Sequence, residues 1–158
     1  MIILLSVLGL ASASETHYEH YATWENVPKI IACGKKAPSI KEVNESLEYW
    51  RSLGYPFNTV VTKKERCEDV TMMKGNIIVK NKYSSKRQGF TTTTKYAYSN
   101  NLKKQYVHHS IIEVNQEVVL YPNENKESLT HEIGHALGIN HVNNVRDIMF
   151  PYAIQKYN

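Results

Sequence analysis

His131-Glu132-Ile133-Gly134-His135-Ala136-Leu137-Gly138-Ile139-Asn140-His141 gathers three imidazoles and a carboxylate, and Met149 follows eight residues later. Imidazoles four apart on a helix share one face on neighbouring turns, so His131 and His135 can grip a single ion. A third imidazole, His141, completes a three-nitrogen set that leaves one tetrahedral position open for water, the mark of a catalytic rather than a structural zinc site. Glu132, beside the first histidine, is placed to take a proton from that water. H-E-x-x-H alone also occurs in helices that bind nothing. Here the match runs on to H-E-x-x-H-x-x-G-x-x-H with a methionine downstream. At about 100° per residue, Leu129, Ile133, Ala136 and Leu137 fall on one side, with His131 and His135 roughly opposite. A core histidine would lie inside the apolar stripe, and these do not. Gly138 can take positive φ, end the helix and return His141 to the other two.

The long consensus over residues 131–141 resembles the metzincin clan of zinc endopeptidases, and within it the matrixins, the family of matrix metalloproteinase catalytic domains. Asp147-Ile148-Met149-Phe150-Pro151-Tyr152 is similar to the clan's Met-turn. The resemblance implies an α+β zincin domain: a mixed, twisted five-stranded sheet with two main helices and a Met-turn. It implies one catalytic Zn2+ on His131, His135 and His141, Glu132 as general base, and Met149 as an apolar floor beneath the metal. Pro151 and Tyr152 match the segment that walls the primed-side specificity pocket. Protein or peptide substrates follow, cut internally. Some relatives carry a tyrosine ligand two residues beyond the methionine. Tyr152 lies three beyond, so that role is not carried over. Val142 stands where matrixins usually have Ser, and no equivalent of their structural-zinc histidines or calcium loops is found. A zinc-binding module that recognises peptides without cutting them is the alternative reading, as is a latent enzyme.

These residues need a scaffold. The 158-residue chain suffices for one domain and one core. The formal charge of +4 is spread over dipeptides such as Lys35-Lys36 and Lys103-Lys104, so solvated surface is expected and nucleic-acid binding is not. Ile2–Leu10 is apolar and precedes Ala11-Ser12-Ala13, an A-x-A cleavage signature. Residues 1–13 therefore read as a secretory signal, too short to span a bilayer, and residues 14–158 as the catalytic domain. A buried N-terminal strand is the competing reading of that run. A secreted monomer without stable membrane association is expected. Cys33 and Cys67 suit an exported protein and are expected to pair, closing a loop worth about 3–4 kcal/mol in the chain-entropy model. The sharper alternative, a Cys33 thiolate that blocks the zinc, would require removing the first strand.

The pattern along the chain places the remaining elements. Strands are expected at Val27–Cys33, Phe57–Thr62, Gly75–Asn81, Gly89–Ser99 and Ser110–Val114, the fourth an exposed edge able to pair with a peptide. Ser39 and Glu42 form a capping box for a helix carrying Ile40, Val43, Leu47, Trp50 and Leu53, stopped by Gly54. Asn125 or Ser128 caps the histidine helix. Residues 14–26, with His17 and His20, read as a flexible N-terminal segment or a short inhibitory one. His108 and His109 would point to opposite faces of a strand, unsuited to sharing an ion.

Overall fold

The computed structural model describes residues 18–34, 37–58, 60–63, 67, 74–82, 90–100, 103–115 and 122–151. The signal-like run at 1–13, His17 and Tyr152 lie outside the described residues. In chain order the elements are β1 (Thr23–Trp24), β2 (Lys29–Cys33), α1 (Ile40–Ser52), β3 (Val60–Lys63), β4 (Asn76–Lys82), β5 (Phe90–Ser99), β6 (Lys104–Asn115) and α2 (Pro122–Ala136). The architecture is α+β, a mixed sheet with two helices among the described residues.

Strands run β1-β6-β4-β2-β3, with β5 on the other edge of β6. Every pairing is parallel except β5 with β6, a hairpin in register from Phe90↔Val114 to Ser99↔Lys104. Parallel central strands are covered on both faces and read as unbroken apolar runs. Ile30–Cys33 in β2 and Ile77–Val79 in β4 are such runs, all buried. Ile30, Ala32, Ile77, Val79 and Ile112 face the helices and share a core with Leu47 and Trp50 of α1 and Ile133 and Ala136 of α2. Ile31, Cys33 and Ile78 form a smaller cluster on the opposite face, and the Cys33–Cys67 disulfide, with Cα atoms 5.5 Å apart, ties Cys67 to it.

The sheet has six strands rather than the five expected, because the two-residue β1 adds to β6 at Thr23↔Tyr106 and Trp24↔Val107. Strand β6 also starts at Lys104, six residues before the expected Ser110. Its first half, Lys104–His109, is mostly polar apart from the buried Val107, and pairing with β5 and β1 makes it a strand. Where β5 passes from Lys95 to Tyr96, its partners pass from His109 to Val107, so His108 bulges out. A bulge interrupts strict alternation. The His108 and His109 Nδ1 atoms therefore lie 2.9 Å apart instead of facing away from each other. Helix α2 begins at Pro122, ahead of Asn125 and Ser128; a proline's fixed φ suits the first turn.

Candidate metal and catalytic site

Helix α2 packs through the predicted stripe: Leu129, Ile133, Ala136 and Leu137 are all buried against the sheet and α1. Trp50 of α1 donates from its indole to Thr130 O at 2.8 Å, fixing how the two helices meet. The opposite face presents His131, Glu132 and His135.

The C-terminal end of α2 then turns the chain. Gly138 adopts φ +88°, and the Ile139 N–H reaches Gly134 O at 3.0 Å while the Gly138 N–H reaches His135 O at 3.0 Å. This is a Schellman ending, and it reverses the chain toward the helix it has left. The Val142 N–H bonds Met149 O at 3.0 Å, closing the loop that carries His141.

The result is convergence. Nε2 of His141 lies 3.2 Å from Nε2 of His131 and 3.1 Å from Nε2 of His135. Opposite a carbonyl only Nδ1–H can bond. His131 donates that way to Ile148 O at 2.6 Å and His135 to Ile139 O at 2.9 Å, which leaves both Nε2 lone pairs directed inward. His141 carries at most one Nε2 proton and cannot satisfy both neighbours, whereas a cation would satisfy all three. Three nitrogens bound to zinc at 2.0–2.1 Å in a tetrahedral arrangement stand about 3.3–3.4 Å apart, close to the spacing here. The donor set therefore fits a zinc ion. Among the described residues, these three histidines are the group able to hold one. Burial favours neutral imidazoles, pushing His135 down to about 4 and lowering His141 as well. Neutral rings are the form that binds metal.

Glu132 sits one residue along, half-buried. Desolvation raises its carboxyl above the ordinary range; a hydrogen bond from Thr92 and the nearness of His131 work against that rise. The Thr92 hydroxyl on β5 donates to Glu132 Oε2 at 2.5 Å and orients the carboxylate. Thr92 was not singled out in the sequence, since it is one of four consecutive threonines and only the register of β5 over α2 selects it. A cleft of about 340 Å³ opens beside the imidazoles, lined by Tyr21, Thr92, Thr94, Tyr96, His135 and Asn140. Thr92, Thr94 and Tyr96 of this lining come from β5, whose outer edge has no partner strand among the described residues.

Met149 is fully buried. Its Sδ packs under Gly134, where a side chain on that glycine would meet both the sulfur and, at 2.6 Å, Trp50. Pro151 is exposed in the turn that follows.

Residues 18–24 are not loose. Tyr18 and Ala22 are buried, and the segment lies along the end of α2. Within the segment 14–26, residues 18–24 are held by partners far along the chain, from Tyr49 and Tyr55 to His135, Ala136 and Asp147.

A sequence model of the matrixin peptidases matches residues 7–158 of the chain. No curated protein matches it.

Proposed function

Because the chain belongs to the matrixin family of zinc-dependent peptidases, we propose that it is a secreted endopeptidase in which His131, His135 and His141 hold one zinc ion and Glu132 is the general base. Zinc on those nitrogens would polarise the scissile carbonyl and acidify a water molecule. Glu132 accepts the water proton and passes it to the leaving amine. Its partly desolvated carboxylate is a stronger base than an exposed one, and Thr92 keeps it aimed. The edge of β5 that is unpaired among the described residues binds the substrate backbone as an added strand, beside the cleft that Thr92, Thr94 and Tyr96 line. An open cleft of this kind takes an internal stretch of peptide. Met149 serves as the Met-turn methionine, and Pro151 with Tyr152 forms the wall of the primed-side pocket. Export is supported by the apolar run before Ala11-Ser12-Ala13 and by the disulfide. Among the described residues no helix is long and apolar enough to cross a membrane.

The observation that carries this reading is the meeting of three Nε2 atoms next to a carboxylate held by β5. Casein cleavage tests it, with and without a zinc chelator and beside Glu132→Ala. Activity lost under both treatments is expected, the variant falling by about 10²–10⁴-fold. Stoichiometric zinc binding without cleavage by any form would replace the enzyme with a peptide-recognition module.

A further inference from the structure

The side chain that fastens the start of the N-terminal segment to α1 and to the loop after α2 has no part in the chemistry above. Tyr18 is buried, its ring 5.4 Å from that of Trp50, yet its hydroxyl reaches Asp147 at 3.0 Å to Oδ1 and 3.1 Å to Oδ2. A phenol has one hydrogen, and the carboxylate takes it. The Tyr49 hydroxyl, 2.7 Å from that of Tyr18, must then donate to it. Asp147 Oδ1 also accepts the Met149 N–H at 2.8 Å. Between these two anchored residues stands Ile148, whose carbonyl takes the Nδ1–H of His131 at 2.6 Å.

We propose that Tyr18 is a positioning residue of the metal site: through Asp147 it fixes the Ile148 carbonyl and thereby the ring orientation and tautomer of His131. The proposal rests on His131 being a zinc ligand. Freed from Tyr18, the Asp147 carboxylate can rotate away from the Met149 N–H, and the carbonyl that holds the imidazole loses its bracing. Partners that orient a ligating histidine commonly tune metal affinity by 10–100-fold, and Tyr18 acts one step further out.

The test measures zinc affinity by competition with a chromophoric chelator, on Tyr18→Phe, Asp147→Ala and the double variant, with kcat and KM for a peptide alongside. Tyr18→Phe keeps the ring on Trp50 and removes one oxygen. It is expected to weaken zinc binding by roughly 3–10-fold, one step below the outer-shell range, and to lower kcat while KM holds. The double variant should be no worse than Asp147→Ala alone, because the two residues act in one chain. Asp147→Asn retains an acceptor for both donors and should restore most of the affinity, which keeps the test decisive if Asp147→Ala does not fold. Unchanged zinc affinity in Tyr18→Phe, or losses that multiply in the double variant, would overturn the proposal. If the wild-type protein binds zinc but cuts nothing, the protease reading fails while the affinity series still decides the role of Tyr18.

Discussion

The two helices end with the same backbone motif and depend on the rest of the molecule to opposite degrees. In α1 the Tyr55 N–H reaches Trp50 O at 3.0 Å and the Gly54 N–H reaches Arg51 O at 3.0 Å. In α2 the matching bonds run from Ile139 to Gly134 and from Gly138 to His135. Gly54 has φ +87° and open space where a Cβ would stand; Gly138 has φ +88° and the Ala22 carbonyl pressed into that place. The end of α1 is satisfied by its own residues. The end of α2 is satisfied largely from the N-terminal strap: Tyr21 donates to His135 O, Trp24 to Ala136 O and His20 to Leu137 O, while the Tyr21 N–H donates to Gly138 O. A helix end that must present two imidazoles and return a third is over-determined by distant contacts, and a purely structural one is not. Such over-determination is what the proposed metal site requires to keep its imidazoles in fixed geometry.

The most forceful way to break this contrast is to give each turn a methyl group. Gly138→Ala adds left-handed strain to a collision with the Ala22 backbone, which has no flexible end to yield. We expect a loss of roughly 3–5 kcal/mol and greatly weakened zinc binding. Gly54→Ala meets only the strain, about 1–2 kcal/mol, and should leave zinc affinity at the wild-type value. Urea unfolding with chelator competition on both variants separates the outcomes. Equal losses would mean that the strap contributes nothing to α2. Next in size, Trp24→Phe removes the donor to Ala136 O while keeping an aromatic ring. It should lower stability by about 1 kcal/mol and weaken zinc binding measurably, whereas the Ser39→Ala cap variant of α1, of similar cost, should not affect zinc at all.

The same contrast explains how much was legible in advance. Helix α1 could be read to its caps, since Ser39 and Glu42 bond each other's backbone within four residues: the Ser39 N–H to Glu42 Oε2 at 2.7 Å and the Glu42 N–H to Ser39 Oγ at 3.2 Å. The spacing of the three histidines, the buried stripe of α2, the turn at Gly138, the edge strand β5 and the cysteine pairing were also visible, because periodicity, glycine chemistry and family resemblance are local signals. What stayed hidden was non-local. Thr92 meets Glu132 across forty residues, and Tyr18 meets Asp147 across 129. The strap carries no periodicity, so Tyr18, Tyr21 and Trp24 are not distinguished within the segment 14–26. The polar half of β6 and its bulge at His108 were hidden for the same reason, being set by pairing with β5.

The smallest effect concerns acid, and it again separates the two helices, since only α2 buries titratable groups on its outer face. Consider the zinc-free protein. His135 is depressed from an ordinary 6.5 to about 4, so the unfolded chain binds a proton there that the native state refuses. Stability from this group is present at neutral pH and falls as pH drops from about 6.5 toward 4. His141, also lowered, acts with the same sign. Glu132 acts with the opposite sign. Its carboxyl is raised above the ordinary 4.5, so the native state takes up a proton before the unfolded chain does, and acidification through that window relieves a burial cost. The two trends partly cancel, and the net loss of stability on going from pH 7 to pH 5 should be modest. Glu132→Gln removes the compensating carboxyl and leaves the imidazoles. Its urea midpoint should therefore lie above that of the wild-type protein at pH 7 and fall more steeply toward pH 5. A variant whose midpoint tracks the wild type across that range would show that Glu132 is solvated as fully as an exposed carboxylate, and the contrast between the outer faces of the two helices would then rest on hydrogen bonds alone.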